Sequence, residues 1–338
     1  MNKIKELPGM FVLNKYFTDF ELIGTGGFGE VYSATYKKNN ERVAIKILNC
    51  IDDSRWTEQR TRFINEINIL KKIHSSNVVK ILGWHHNGNE VFYVMELIKG
   101  QGLKTIIAKN KKIDPDTAIM YAKQICQGLI EIHAAKIVHR DLKPSNIIID
   151  EETNSLKLID FGISIGESTQ RVTRNYKTVG SVQYMAPELL RGIADPSPRS
   201  DIYAFGIILF EMLEGKVPFN NHDDINQIMM MHINNELPRM SDVNVIIPQA
   251  LENIVIRCTA KSAEQRYTDC VELMHDLETC LDSKRVNEKR LELNPSKSKM
   301  KAKRIFNSKL FNIIFFTTGG FLVAFIVIFV VLFLKGIL

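Results

Sequence analysis

The chain has 338 residues, of which 45% are hydrophobic and 24% are charged, a composition typical of a folded protein with a sizeable core. Lysine and arginine outnumber aspartate and glutamate by 44 to 38, but residues 284–309 alone hold ten basic and two acidic residues, so residues 1–283 carry a net charge of −3. A folded part that is slightly acidic lacks the basic surface that nucleic-acid binding needs, which excludes a nucleic-acid partner from our expectations.

The first part of the chain is predicted to form a small sheet. Residues 17–48 read as three strands rich in Val, Ile, Tyr and Thr, with turns at 25–29 and 38–40. Apolar residues then recur at helical spacing between Phe63 and Ile73. Two further apolar stretches, at 78–83 and 91–98, read as strands on either side of a turn.

The second part of the chain is predicted to be helical. Apolar helical runs lie near 118–133, 202–213, 250–259 and 271–281. Strands first and helices later indicate an α+β fold in which a small sheet lobe joins a larger helical lobe. From residue 282 to residue 309 the sequence is polar and basic without apolar periodicity, which predicts a solvated linker.

An ordered series of separated motifs runs through both parts. The series is Gly24-Thr-Gly26-Gly-Phe-Gly29-Glu-Val31, Val43-Ala-Ile-Lys46, His139-Arg140-Asp141-Leu-Lys143-Pro-Ser-Asn146, Asp160-Phe161-Gly162 and Ala186-Pro187-Glu188. Each motif alone is weak, but their joint order resembles that of the eukaryotic-type (Hanks-type) protein kinases. The resemblance covers residues 16–281 and implies a bilobal kinase fold that transfers a phosphoryl group from ATP.

The glycine-rich motif has two other interpretations. A lone GxGxxG also occurs in dinucleotide-binding turns, but those open a helix, whereas Gly29 is followed by an alternating, strand-like run. An ordinary hairpin turn is the remaining alternative. In the kinase interpretation Gly24, Gly26 and Gly29 let the backbone close over ATP phosphates, and Val31 covers the adenine.

Lys46 ends an apolar run, where a buried ammonium group needs anionic partners. The resemblance implies that these partners are the ATP phosphates and Glu66, which lies on the apolar-rich turn of the predicted helix. Glu58 lies in the preceding polar segment, and a solvated helix glutamate is the alternative role for Glu66.

The resemblance assigns the chemistry to the second lobe. Asp141 would accept the proton of a substrate hydroxyl, while Asn146 and Asp160 would hold Mg²⁺, or Mn²⁺ in its place. Loop capping is the alternative role for these side chains. Lys143, two residues after Asp141, and Ser181 both resemble serine/threonine kinases, so protein serine and threonine hydroxyls are the expected acceptors.

The resemblance also implies the nucleotide contacts and the scaffold. Met95 resembles the gatekeeper position, and residues 96–98 resemble the hinge whose backbone binds adenine. The implied nucleotide-contacting residues are Ile23, Gly24, Gly26, Gly29, Val31, Ala44, Lys46, Glu66, Met95, Glu96 and Ile98. Asp201 resembles the helix aspartate that braces the catalytic loop, and Arg266 resembles the arginine that pairs with Glu188.

Arg140 directly precedes Asp141, which predicts control by phosphorylation of the activation segment. A phosphate brings about two negative charges, and Arg140 would bind it and order the segment. The candidate acceptors are Thr169, Thr173 and Thr178, together with Ser168; Thr173 lies seven residues before Gly180, as does a phosphorylated Thr in bacterial transmembrane kinases of this family. An unmodified loop hydroxyl is the alternative for each.

Residues 310–334 form an uncharged run of 25 residues, which as a helix would span about 37 Å and so cross a membrane. Six basic residues lie within 297–309, so the positive-inside rule places the kinase on the cytoplasmic side. Five scattered cysteines without a Cys-x-x-Cys pair agree with that reducing location.

This arrangement resembles bacterial membrane serine/threonine kinases related to PrkC and PknB, which usually continue into extracellular PASTA repeats. Here only residues 335–338 are expected outside, as a short tail without such repeats. The basic linker is also expected to contact anionic lipids. A homodimer stays open, although the adjacent Gly319 and Gly320 lack the GxxxG spacing of paired membrane helices.

Two functions from other classes compete with an active kinase. A pseudokinase scaffold shares the fold without catalysis, but such proteins commonly lose the equivalents of Lys46, Asp141 or Asp160, and all three are present here. A membrane tether that recruits partners through its basic linker is the other alternative, and it is compatible with catalysis.

Overall fold

The computed structural model describes residues 4–26, 29–48, 56–160, 179–219, 224–240 and 247–293. The chain begins with helix α1 (Phe11–Tyr16), and helix α2 (Trp56–Leu70) follows the third strand of a five-stranded sheet. The strands of this sheet are β1 (Phe17–Gly26), β2 (Gly29–Tyr36), β3 (Arg42–Ile47), β4 (Ile81–His85) and β5 (Phe92–Glu96).

The rest of the described chain is mainly helical. A small second sheet contains β6 (Gly100–Gly102), β7 (Ile147–Asp150) and β8 (Leu156–Leu158). The helices are α3 (Leu103–Asn110), α4 (Pro115–Ala134), α5 (Val179–Val182), α6 (Pro187–Leu190), α7 (Pro198–Glu214), α8 (Ile225–Asn234), α9 (Gln249–Cys258) and α10 (Cys270–Thr279). The predicted succession of a β-rich lobe and a helical lobe is therefore confirmed.

The five-stranded sheet is antiparallel, with the strand order β1-β2-β3-β5-β4. Successive residues of a strand point to opposite faces, and β3 is buried on both. Val43, Ile45 and Ile47 join an apolar cluster on one face, whereas Ala44 belongs to the main core on the other. Lys46 therefore shares the face of Ala44, which is the face turned toward α2.

Helix α7 lies at the centre of the helical lobe and is buried along nearly its full length. It packs against α4 and α9, while α10 packs on α4. Pro198 at its first turn and Gly215 just after its end, with φ of +72°, match the residue types that begin and end helices. This buried helix supplies a rigid base for the loops that follow α4.

The segment before the predicted domain boundary at Tyr16 is part of the folded lobe. Leu13 of α1 is fully buried in the apolar cluster beneath β3. The Glu90 carboxylate accepts hydrogen bonds from the backbone amides of Val12 and Leu13, at 3.0 and 3.1 Å. A helix of six residues is too short to be stable alone, and this distant carboxylate satisfies its free amides.

At the other end, the compact unit extends to Arg290. Arg285 pairs with Asp276 of α10 and with Glu288, and Arg290 pairs with Glu252 of α9 at 3.1 Å. We call these five residues the charged clasp. The clasp attaches the first part of the predicted linker to the surface of the helical lobe.

None of the helices in the described ranges is both long enough and apolar enough to cross a membrane. The predicted span at 310–334 and most of the predicted linker lie outside the described residues.

Candidate active site

Lys46 contacts two carboxylates that come from distant parts of the sequence. Its Nζ lies 2.9 Å from Oε1 of Glu66 on α2 and 2.7 Å from Oδ1 of Asp160, which follows β8. Lys46 and Glu66 are buried, whereas the side chain of Asp160 is 42% exposed. The structure thus brings Glu66, rather than Glu58, to the lysine, since Glu58 pairs with Arg62 on the exposed face of α2.

The charge states of this cluster follow from burial and pairing. Burial by itself disfavours the ammonium, but the charges of Glu66 and Asp160 raise the pKa of Lys46 well above its ordinary value, so that it stays cationic. Burial raises the pKa of Glu66, and the Lys46 ammonium offsets part of this effect. Lys46 is thus a buried cation that contacts one buried carboxylate, Glu66, and one partly exposed carboxylate, Asp160.

Asp141 and its neighbours form a second polar cluster in the loop between α4 and β7. Lys143 Nζ donates to Asp141 Oδ2 at 2.7 Å and to Ser181 Oγ at 3.1 Å. Asn146 Nδ2 donates to the Asp141 carbonyl at 2.9 Å and to the same Oδ2 at 3.1 Å. Within the described part of the chain both of these side-chain donors engage Oδ2, so Oδ1 of Asp141 is the oxygen that a hydroxyl group would approach.

Asp201 of α7 holds the loop that carries Asp141. The Asp201 carboxylate accepts hydrogen bonds from the backbone amides of His139, at 2.8 Å, and Arg140, at 3.0 Å. Arg140 and Asp160 have φ of +68° and +50°, a region that non-glycine residues rarely occupy. Such strained positions persist only where surrounding contacts enforce them. Here one of them directly precedes Asp141, and the other is Asp160 itself.

The glycine-rich motif forms the end of the β1–β2 hairpin. Gly24 pairs with Val31 across the two strands, and Gly26 pairs with Gly29. Gly29 has φ of +150°, and a Cβ atom there would lie 1.9 Å from the carbonyl oxygen of Ile47. Only glycine therefore fits this position, because the backbones of β2 and β3 approach so closely.

The residues expected around adenine lie on β1, on β3 and at the end of β5. Ala44 faces Met95 across the sheet, both are buried, and Ile98 is partly buried against the main core. Ile23 on β1 is half exposed. Ala44 and Met95 thus lie on paired central strands, and Ile98 follows β5, where the chain continues into the second sheet.

The side chain of Glu96 makes contacts that the predicted hinge role of its backbone does not imply. Its Oε1 lies 2.8 Å from Lys157 Nζ on β8 and accepts from the backbone amide of Lys80 at 2.8 Å. These contacts join the end of β5 to the second sheet. The connection between the lobes is therefore held in place by a carboxylate as well as by its backbone.

Glu188 and Arg266 form a buried ion pair in the helical lobe. Arg266 donates to both Glu188 oxygens, at 2.8 and 2.7 Å, and its side chain is fully buried. Arg266 also donates to the carbonyls of Arg199 and Ala260, each at 2.9 Å. The pair predicted from the sequence thus joins the segment after α5 to α7 and to the loop after α9.

Sequence reasoning missed two side chains that contact this machinery. Tyr93 Oη donates to Glu66 Oε1 at 2.9 Å, and His133 Nε2 lies 2.8 Å from Asp201 Oδ2. Burial by itself lowers the pKa of His133, but hydrogen bonds with Asp201 and Cys270 outweigh it and raise the pKa to about 9. Both residues lie in apolar runs, where an aromatic side chain is usually a core residue, so no local pattern indicated these contacts.

Several predicted residues lie outside the described part of the chain. They are Phe161 and Gly162 of the Asp160-Phe161-Gly162 motif and the candidate phosphorylation sites Ser168, Thr169, Thr173 and Thr178.

Comparison with known proteins agrees with this geometry. The sequence model of the protein kinase domain matches residues 17–278, so the chain belongs to the protein kinase domain family. Its similar curated proteins include the serine/threonine-protein kinase PrkC of Bacillus subtilis, 36% identical over 281 residues, which are 83% of this chain and 43% of that protein. A probable serine/threonine-protein kinase PknB of Lactococcus lactis is 35% identical over 292 residues, which are 84% of this chain and 46% of that protein.

A serine/threonine-protein kinase PknL of Mycobacterium tuberculosis is 28% identical over 292 residues, covering 85% of this chain and 71% of that protein. The chain thus spans less than half the length of PrkC and of the Lactococcus protein. The similarity to each of the three covers more than four fifths of this chain.

Proposed function

We propose that this protein is a membrane-anchored serine/threonine protein kinase that transfers the γ-phosphate of ATP to hydroxyl groups of proteins. The observation that carries the proposal is the Lys46 ammonium held between Glu66 and Asp160, beside the loop that presents Asp141. Phosphoryl transfer from ATP uses a fixed cation that positions the phosphates and a carboxylate that accepts the proton of the attacking hydroxyl group. Phosphoryl transfer is the reaction that this pair supports best.

Each polar side chain of the site has a separate part in the proposed reaction. Asp141 orients the acceptor hydroxyl and takes its proton, and Lys143 stabilises the carboxylate while bridging to Ser181. Lys46 positions the nucleotide phosphates, and Glu66 holds Lys46 in place. The bridge from Lys143 to Ser181 joins the catalytic loop to the segment that would hold the acceptor peptide, which supports serine or threonine as the acceptor.

The donor set fits a magnesium ion, with manganese as a substitute. Asp160 offers an exposed carboxylate, and Asn146 directs its Nδ2 to Asp141, which leaves its carbonyl oxygen for a metal. When bound, the ion neutralises charge on the phosphate oxygens. Two protein oxygen ligands suit Mg²⁺, since this ion completes its shell with phosphates and water.

A change at Lys46 tests the reaction. We expect the wild-type protein to phosphorylate serine or threonine in a generic protein substrate only with ATP and Mg²⁺. Lys46→Met should lower kcat/KM for ATP by about 100-fold, because one electrostatic group in such a site contributes 10²-fold or more. Lys72→Met, which alters an exposed lysine, is the control and should behave as wild type. Absence of labelled phosphoserine and phosphothreonine with the wild-type protein would contradict the proposal and favour a scaffold.

Within this proposal, the chain is divided into a kinase domain at 16–281, a basic linker at 282–309, a membrane helix at 310–334 and the residues 335–338 on the outer side. The sequence pattern supports this division, and the ion pairs of the charged clasp hold the first residues of the linker against the kinase domain. ATP, protein substrates and the membrane are the proposed partners.

Autophosphorylation of the activation segment is the proposed form of control. Arg140, held by Asp201 beside Asp141, supplies the cationic group. We expect mass spectrometry of an active preparation to find phosphate at Thr173, with Thr169 and Thr178 as the other candidates. Thr173→Ala should reduce substrate turnover several-fold and leave ATP affinity unchanged, whereas Thr153→Ala, on an exposed turn, should change neither. An active wild-type preparation without phosphate between residues 164 and 181 would refute this control.

Membrane anchoring is proposed from the uncharged run at 310–334 and the basic residues before it. Removing residues 306–338 should move the kinase from the membrane fraction to the soluble fraction with its activity on a peptide unchanged. Replacing the six basic residues of 297–309 by glutamine should keep the protein in the membrane but weaken its binding to anionic vesicles, since each contributes about 1 kcal/mol near the surface.

Two results would overturn the anchoring proposal. Full-length protein that stays soluble in its native cells refutes the anchor, and digestion of the kinase domain by external protease in intact cells refutes the orientation.

Sedimentation of the protein lacking residues 306–338 decides between a monomer and a homodimer.

A further inference from the structure

Tyr93 of β5 lies within the buried cluster around Lys46. It is paired directly with Lys46 of β3 across the sheet, so both side chains project from the same face. Its hydroxyl donates to Glu66 Oε1 at 2.9 Å, and the same oxygen accepts from Lys46 Nζ at 2.9 Å. Burial and the Glu66 charge raise the pKa of Tyr93 well above its ordinary value, so the hydroxyl stays protonated and remains the donor.

Tyr93 holds α2 by two contacts of different kinds. Its ring packs against the ring of Phe63, one turn before Glu66, with a centroid separation of 5.3 Å. Its hydroxyl donates a hydrogen bond to the Glu66 carboxylate. Of the two contacts, only this hydrogen bond depends on the side chain of Glu66. Tyr93 is 1% exposed, so water does not replace a donor that is removed.

The two carboxylates beside Lys46 differ in what else holds them. Asp160 is partly exposed and belongs to the proposed metal site, which gives its carboxylate a second task. Glu66 is buried, and its position is set from within the protein by Lys46 and Tyr93. When the Asp160 carboxylate binds the metal, Glu66 is the side chain that still pairs with Lys46. Tyr93 then holds Glu66 in position.

We propose that Tyr93 is a positioning residue for phosphoryl transfer, which ties Glu66 of α2 to β5 and so holds Lys46 against the nucleotide phosphates. This inference rests on the proposed kinase function. Tyr93 touches neither nucleotide nor substrate in it, and acts through Glu66 and Lys46. The alternative is that the hydroxyl only satisfies its own burial, in which case Tyr93 contributes to folding alone.

A double-mutant cycle on the full-length protein distinguishes the two roles. The proteins are the wild type, Tyr93→Phe, Glu66→Leu and the double variant, and kcat and KM for ATP are measured with Mg²⁺ and a generic protein substrate. Tyr121→Phe is the matched control: Tyr121 is also buried and donates to an acceptor side chain, Asn154 at 3.1 Å, but it lies on α4 away from the cluster.

We expect Tyr93→Phe to lower kcat about tenfold with less than about a threefold change in KM for ATP, as for loss of one hydrogen bond to a charged group. Tyr121→Phe should change neither constant by more than about twofold. In the Glu66→Leu background, Tyr93→Phe should add less than about twofold, because the acceptor is already absent. Hydrogen exchange of the α2 amides should become faster in Tyr93→Phe and not in Tyr121→Phe.

Each outcome decides one claim. The positioning role is overturned if Tyr93→Phe and Tyr121→Phe have equal kinetics. It is also overturned if the effect of Tyr93→Phe is as large without Glu66 as with it. In both cases, phosphoryl transfer by the wild-type protein still supports the proposed function. Unchanged exchange in α2 overturns the tether even if activity falls. A wild-type protein that transfers no phosphoryl group refutes the proposed function and, with it, any role of Tyr93 in transfer.

Discussion

Asp141→Asn is expected to reduce phosphoryl transfer by about 10²–10⁴-fold, the usual contribution of a general base, while ATP affinity changes little. The substitution keeps the size of the side chain and its contact with Asn146 but removes the proton acceptor. It also removes the anionic partner of Lys143, which lies 2.7 Å away. Steady-state kinetics with a peptide substrate, together with a nucleotide-binding titration, separate transfer from binding.

The control for this prediction is Asp114→Asn. Asp114 caps α4 on the surface by accepting from the Thr117 amide at 2.9 Å, and asparagine caps helices about as well as aspartate. This variant should retain wild-type kinetics. If Asp141→Asn phosphorylates the peptide as fast as the wild type does, Asp141 is not the proton acceptor and the proposed mechanism is wrong.

Arg266→Met is expected to cause the largest loss of stability, about 3–5 kcal/mol, because it leaves the buried Glu188 carboxylate without its cation. Ser200 also donates to Glu188, at 3.0 Å, but a neutral hydroxyl does not replace the bidentate guanidinium. The two tryptophans, Trp56 and Trp84, lie in the β-rich lobe, so urea unfolding of the helical lobe is best followed by far-ultraviolet circular dichroism.

Two matched variants sharpen that measurement. Lys99→Met breaks an exposed ion pair with Glu152 and should cost less than about 1 kcal/mol. The double variant Arg266→Met with Glu188→Gln removes both charges and should be more stable than the sum of the single effects predicts. Additive losses would contradict the view that an unpaired buried charge causes the instability.

The sequence predicted well those features that depend on periodicity or on motif order. The strands at 17–48 follow from alternation, and the contact of Lys46 with Glu66 follows from the kinase resemblance. The extended run after Gly29 correctly separated a hairpin from a helix-opening turn, because strand and helix periods differ within a few residues.

The missed features depend on contacts between residues far apart in the sequence. Helix α1 is too short to show a period, and its amides are satisfied by Glu90, which lies more than 70 residues later. Tyr93 reads as one more apolar residue of β5, and its hydroxyl acquires a partner only when α2 folds over the sheet. Likewise, Arg285, Glu288 and Arg290 of the charged clasp lie in a stretch whose composition indicates a solvated linker, and two of the three acidic residues of the clasp lie on α9 and α10, outside that stretch.

The charged clasp also decides where mechanical load would enter the domain. Tension on the chain beyond Arg290 is transmitted through Arg290 to Glu252 on α9 and through Arg285 to Asp276 on α10. Because these helices pack on α7 and α4, the pull is borne by the helical lobe and bypasses the connection at residues 96–98.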